Sequence, residues 1–384
     1  MGKILRCLIF IIVFAILFYI PVFAENDSDE VNNYNEIYDE QKELSGADGL
    51  YYYVDEETTD FMKEHGVDSL DAEKIIGFDF FDFLKSVWDT ALSVFTAPFA
   101  LLASILGVML LCSLISAIKA TDNENSLSTV FSLVSTLAVC GIAVAPIVKC
   151  IISTSETIKS AGNFMLAFIP VFTGIVTTQG KPVTGIVYHT SLFTLIQIIM
   201  RIAGVFLIPL LGIYLALSIT GSLGGKMNLT SVSSMIKKTL LWTLGILLTI
   251  FIGLFMVQTF VSSSADNVAT RTAKFMVSGF IPIVGGAISE ALNTINGCLG
   301  LLKSTVGAFG IIAVLFTMLP SIISVILYKT ALSIGAAAGE MLAIEKIPGL
   351  LKSINDALSI LLGMLVFTTV LLIASTSIII AISN

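Results

Sequence analysis

The chain has 384 residues, of which 56% are hydrophobic and only 12% are charged, and its mean hydropathy is +0.96. Soluble domains are roughly half apolar and a quarter charged, so this chain has too little polar surface to cover a water-soluble fold. It has only two histidines and lacks a Walker A loop, a GxSxG elbow and a kinase signature. We therefore expect neither an enzyme nor a bound cofactor or metal.

The net charge of −8 divides into two parts of opposite sign. Residues 25–91 hold 20 acidic residues and four lysines, a net charge of −16, whereas residues 92–384 carry a net charge of +6. An acidic segment repels phosphate groups, so we expect no nucleic-acid partner. The charge distribution predicts that residues 25–91 form a segment distinct from the apolar remainder.

Residues 1–24 are predicted to be a signal peptide. They begin with Lys3 and Arg6, continue with an apolar stretch, and end in Val22-Phe23-Ala24 before the first acidic residue. Small or β-branched residues at these positions predict cleavage after Ala24. An uncleaved membrane anchor is the alternative, and under either interpretation residues 25–91 are exported.

Residues 25–91 are therefore predicted to be a short acidic extracytoplasmic segment. Its first part, residues 25–41, is acidic and rich in asparagine, which favours disorder. Residues 61–88 regain apolar side chains at helical spacing and predict one or two amphipathic helices that lead into the membrane. The aromatic side chains near the end of this stretch suit the bilayer interface.

Residues 92–384 are predicted to be a multi-span membrane domain of the all-α class. Apolar runs of about 20 residues match the length that crosses the hydrocarbon core, and a lipid-exposed backbone must satisfy its own hydrogen bonds as a helix. The loop 220–238 carries three lysines and no acid, which places it in the cytoplasm. The candidate spans are 92–118, 129–148, 164–178, 185–200, 202–219, 239–261, 279–301, 305–328 and 355–382.

A short pattern occurs twice in the chain at a constant offset of 112 residues and predicts an internal duplication of about 129–219 and 241–331. The first copy contains Lys159, Phe168, Pro170 and Gly174. The second copy contains Arg271, Phe280, Pro282 and Gly286. A proline near the start of an apolar run disturbs a helix, and matching broken helices can line a path through a transporter. Kinked helices that only pack are the alternative.

Several ionisable residues lie in or near apolar runs, where a charge is costly and often functional. Glu290 lies in an asparagine-containing span and is the strongest single candidate for facing a partner or a wet cavity. Asp266, Arg271 and Lys274 are further candidates, although a solvated outer loop explains them equally well.

Two stretches resemble the stage III sporulation protein AE family: residues 266–275, DNVATRTAKF, and residues 279–285, GFIPIVG. The export signal, the acidic segment and the earlier Phe168-Ile-Pro170 motif extend the resemblance over nearly the full length. The resemblance implies an endospore-forming bacterium and a location in the mother-cell membrane around the forespore. It supplies no established catalytic residues, so only the repeated motif positions are candidate functional sites.

The resemblance also implies a function. Family members belong to a multi-protein, secretion-like complex that links the two cells after engulfment and sustains late gene expression in the forespore. The expected partners are other membrane proteins of the same operon, a forespore-made protein, membrane lipid and a second copy of the chain. A non-conducting scaffold for that complex, or a small-solute transporter, are the alternatives to a channel component.

Overall fold

A computed structural model describes residues 31–64, 67, 70, 75, 80–119, 125–202, 208–222, 229–280, 285–342, 344 and 346–382. The elements in these residues are helices, without a strand, which confirms the predicted all-α class. The predicted signal peptide lies outside the described residues. The helices are α1 (Val31–Leu44), α2 (Glu56–Glu64), α3 (Phe80–Val94), α4 (Thr96–Lys119), α5 (Asn125–Thr178), α6 (Pro182–Arg201), α7 (Ile208–Ser222), α8 (Leu229–Phe280), α9 (Gly285–Met341) and α10 (Ile347–Ile382), with a 3₁₀ helix at Ala47–Tyr53.

Six of the described helices are long and apolar enough to cross a membrane: α4, α5, α6, α8, α9 and α10. The apolar part of α7, Pro209–Gly221, is shorter. A chain with this many apolar helices of spanning length is a multi-pass membrane protein. At a rise of about 1.5 Å per residue, the 54 residues of α5 extend about 80 Å, well beyond a hydrocarbon core about 30 Å thick.

Two pairs of predicted spans are single helices in the structure. The predicted spans 129–148 and 164–178 both lie in α5. Helix α9 contains the whole of the span 305–328 and residues 285–301 of the span 279–301, whose first two residues end α8. The polar residues between the first pair continue the helix, and the Thr157 hydroxyl donates to the Ser153 carbonyl oxygen at 3.1 Å. Pro146 and Pro170 lie inside α5 without ending it, so the predicted break at Pro170 is absent.

The core of the bundle lies where α9 runs antiparallel to both α5 and α10. Gly307 of α9 contacts Ile380 of α10, and Gly310 of α9 contacts the ring of Phe168 in α5. A Cβ atom on Gly310 would lie 2.5 Å from that ring, so this close approach of the two helices requires glycine. Helix α6 folds back along α5 through a tight turn at Gly180, whose φ of +85° also favours glycine.

The predicted extracytoplasmic segment packs against the long helices. The Phe61 ring meets the Phe316 ring of α9 edge-on at 5.1 Å, and the Ser160 hydroxyl of α5 donates to Asp55 at 3.0 Å. The predicted disorder of residues 25–41 is wrong from residue 31 onward, because α1 begins there. Tyr38 is buried in the core, so tertiary packing orders a stretch whose composition favours disorder.

Candidate functional site

Helix α8 carries a polar stripe that faces the inside of the bundle. The stripe consists of Thr259, Ser262, Ser263 and Asp266, whose i, i+3, i+4 and i+7 spacing places them on one face. All four are buried. The opposite face exposes large apolar side chains, namely Val257, Phe260, Val261 and Val268. This arrangement suits a helix whose outer face contacts lipid and whose inner face lines a polar interior.

Asp266 ends the stripe and caps the N terminus of α6. Its two carboxylate oxygens accept hydrogen bonds from the backbone N–H groups of Val183 at 3.1 Å and Thr184 at 2.7 Å. The residue that precedes α6, Lys181, makes no side-chain cap of its own, so a carboxylate from another helix takes that role. The positive end of the α6 dipole stabilises the buried charge, and the cap ties α6 to α8.

One lysine lies near this carboxylate, and a second lysine lies near the first. Lys181 lies in the turn between α5 and α6, close enough to Asp266 for the two charges to attract. Burial lowers the pKa of Lys181, and the attraction to Asp266 opposes that shift. Lys303 of α9 is fully buried and close enough to Lys181 for the two ammonium groups to repel each other. Asp266, the N terminus of α6, Lys181 and Lys303 are hereafter the Asp266 site.

A second link holds the same turn to α8. The hydroxyl of Thr270, one turn after Asp266, donates to the carbonyl oxygen of Gly180 at 3.3 Å. The side chain of Gln179 lies beside Gly300 of α9, with its amide nitrogen 3.4 Å from the position that a Cβ there would occupy. The turn between α5 and α6 is therefore held by α8 on one side and α9 on the other.

The structure does not gather the first copy of the repeated motif at this site. Lys159 and Pro170 are exposed on α5, and Gly174 is exposed with open space around it. Phe168 alone is fully buried, where it stacks on Phe172 with ring centroids 5.2 Å apart. This arrangement gives Phe168 a packing role.

The second copy lies mostly beyond the described side chains. Arg271 is exposed on α8, one turn past Asp266. Pro282 lies outside the described residues. The backbones of the remaining candidates are helical, but their side chains lie outside the described part of the chain: Lys274, Phe280, Gly286 and Glu290. The path hypothesis for this copy stays a prediction.

Sequence reasoning identified Asp266 as a candidate but missed Lys181, Lys303 and the stripe. The signal was present as Thr259, Ser262 and Ser263 at helical spacing before Asp266, within an otherwise apolar run. That signal shows a polar face, but it does not show whether the face is turned inward. The inward orientation is visible only in the structure, where the apolar residues of the opposite face are exposed.

A cavity of about 570 Å³ separates α2 and α3 from the middle of α5 and α9. Its acidic lining comes from both sides: Asp55, Glu57, Asp60, Glu64 and Glu156. Among the described residues, no group of three or more His, Cys, Asp or Glu side chains is arranged to hold a metal ion. The acidic lining makes this cavity unfavourable for anions.

These features define the class of protein: a polytopic α-helical membrane protein with ionisable side chains buried inside its helical bundle. The profile of the stage III sporulation protein AE family matches residues 66–383, which is most of the chain. The chain therefore belongs to the stage III sporulation protein AE family, as the resemblance indicated.

A curated relative supports the assignment. The chain is 24% identical over 230 residues to the stage III sporulation protein AE of Bacillus subtilis (strain 168), and the match covers 60% of this chain. The aligned part spans 58% of the length of that relative. No solved structure matches the chain.

Proposed function

We propose that this protein is a membrane-embedded component of the channel or secretion-like complex that connects mother cell and forespore and is required after engulfment. Membership of a stage III sporulation family supports the biological setting. The six apolar helices of spanning length support a location within a membrane, and we place it in the mother-cell membrane around the forespore.

The observation that carries the proposal is the buried polar stripe of α8. A membrane scaffold needs only packed apolar helices, and charged side chains inside a membrane protein are costly. Asp266 is 1% exposed and Lys303 is 0% exposed, so α8 and α9, which contact each other, each bury a charged side chain in the bundle interior. Such groups typically belong to pathways or moving parts, which favours a conducting component over a scaffold.

The proposed partners are other membrane proteins of the same operon and a forespore-made protein, together with lipid and a second copy of the chain. The exported segment offers exposed aromatic residues for such contacts, because Tyr52 is 89% exposed and Tyr53 is 62% exposed. Tyrosine is enriched in protein–protein interfaces because it combines large contact area with a polar tip.

Two adjacent serines test the proposal, because Ser263 is buried in the stripe and Ser264 is exposed on the same helix. We expect Ser263→Leu to block sporulation after engulfment and Ser264→Leu to leave heat-resistant spore yield near wild type. Both variants must accumulate in the membrane fraction at wild-type levels. Equal spore yields from the two variants would contradict the proposal.

The same variants separate a conducting component from a scaffold. A conducting component predicts that Ser263→Leu loses forespore gene expression while the partner proteins still co-purify with it. A scaffold predicts that spore yield falls in proportion to the loss of co-purified partners. Affinity isolation of the tagged protein from sporulating cells, followed by mass spectrometry, measures the difference.

A further inference from the structure

Several buried polar atoms at one end of the bundle find no hydrogen-bond partner within the described part of the chain. Four fully buried hydroxyl groups have this property: Thr184, Tyr188, Thr259 and Thr305. The Thr173 hydroxyl and the side-chain carbonyl oxygen of Gln179 share it. Folded proteins satisfy the large majority of buried polar groups, so a concentration of such atoms needs a physical explanation.

These atoms come from four helices and the turn that joins two of them. Thr184 follows the α6 terminus that Asp266 caps, and Thr259 lies two turns before Asp266 on the stripe of α8. Thr305 lies two residues after Lys303 on α9. Thr173 of α5 and Gly185 of α6 are in direct contact across the hairpin that these helices form.

Tyr188 extends this group of polar atoms to α10. Its hydroxyl faces Thr376 without reaching hydrogen-bond geometry, and its ring lies 5.3 Å from that of Phe172. Phe172 in turn touches the position of Gly307, two residues beyond Thr305. The contacts therefore place α5, α6, α8, α9 and α10 around one polar layer.

We propose that this polar layer binds a cluster of water molecules, which forms an internal hydrated chamber beside Asp266 and Lys303. The proposal goes beyond the function suggested above and stands without it. Buried waters typically make two to four hydrogen bonds to polar groups that would otherwise lack partners. Hydroxyl groups and an amide oxygen supply the mixed donors and acceptors that water requires.

The charges at the chamber exclude other ligands. Lys181 and Lys303 repel a metal cation, and the carboxylate of Asp266 repels phosphate or carboxylate ligands. A neutral hydrogen-bonding ligand satisfies the hydroxyls without opposing either charge. Water is the smallest such ligand, and it is available from both sides of a membrane.

Hydroxyl-radical footprinting tests the proposal, because radiolysis of a bound water generates a radical next to the side chain that holds it. Tyr188 and Tyr214 form a matched pair, since they are 0% and 1% exposed, and the buried Tyr188 hydroxyl lacks a partner whereas Tyr214 has an interaction partner. On the full-length protein in nanodiscs, we expect Tyr188 to be labelled severalfold faster than Tyr214. Exposed Tyr52 gives the upper reference rate.

A second comparison uses nearly isosteric variants. Thr305→Val removes a hydroxyl from the layer and is expected to slow the labelling of Tyr188, whereas Thr190→Val, at an exposed position of α6, is expected to leave it unchanged. Equal labelling of Tyr188 and Tyr214 in the wild-type protein would overturn the proposal. That wild-type result is decisive even where a variant fails to fold.

Discussion

At the scale of single residues, Asp266 determines how the turn between α5 and α6 is held. Its carboxylate accepts hydrogen bonds from two backbone N–H groups in the first turn of α6. The residue before α6 supplies no side-chain cap for these groups. Buried donors that lose their acceptor are costly, and a capping carboxylate also gains from the helix dipole. The stability of the α5–α6 hairpin should therefore depend on this one side chain.

Replacing Asp266 by alanine should destabilise the protein by about 1–3 kcal/mol, since two buried N–H groups lose their acceptor and Lys181 loses an attractive charge. The midpoint of thermal unfolding in detergent micelles measures the change. Asn267→Ala is the control, because Asn267 is the exposed neighbour on the same helix. Identical midpoints for the two variants would show that the cap contributes nothing measurable.

Single residues could be identified from the sequence when their type and local context were enough. They could not be interpreted when their role depends on a packing partner far away in the chain. Phe168 stood out by its repeated context, yet its partner Gly310 lies 142 positions further along the chain and could not be inferred. Lys303 looked like an ordinary polar interruption between two apolar runs. Its burial follows from the packing of α9 against neighbouring helices, which hydropathy does not encode.

At the scale of elements, hydropathy was sufficient to predict helices and insufficient to predict their lengths. The all-α class follows from the long apolar runs, because lipid permits no unpaired backbone. The polar stretch 153–160 in the middle of α5 looked like a loop, but it contains neither glycine nor proline, and the Thr157 hydroxyl bonds back to the helix. Predicted boundaries fail where such polar residues continue a helix.

The docking of the predicted extracytoplasmic segment on the long helices is also a feature at the scale of elements. Asp55 precedes α2, caps it by accepting from the Thr58 N–H at 2.9 Å, and accepts from Ser160 of α5 at 3.0 Å. One carboxylate thus fixes the start of α2 and its position on α5. Composition alone predicted only a separate acidic arm.

A cysteine pair at positions 55 and 160 should cross-link efficiently with a short thiol-reactive reagent, because these two side chains are in hydrogen-bond contact. The test uses intact cells and a background without the native cysteines. A pair at positions 52 and 160 is the control, since the Tyr52 side chain is 89% exposed to solvent. Comparable cross-linking of both pairs would contradict docking through Asp55.

At the scale of the whole molecule, the bundle combines a lipid-suited exterior with a polar interior. The exposed apolar residues of α8 and the buried ones of α9 and α10 are equally hydrophobic, so sequence alone cannot separate lipid contacts from core contacts. Polar residues distinguish the lipid-facing side of a helix from its core-facing side, because they avoid lipid. In this fold the buried stripe shows which face of α8 is turned toward the bundle interior.

The central claim, that α8 turns its polar stripe inward and its apolar face to lipid, is tested most directly by a spin-label scan of residues 256–268. Collision with dissolved oxygen, which concentrates in lipid, is measured by electron paramagnetic resonance on the protein in liposomes. We predict maxima at positions 257, 260, 261 and 268 and minima at 259, 262, 263 and 266, with helical periodicity. Maxima at the polar positions, or accessibility without helical periodicity, would contradict the account.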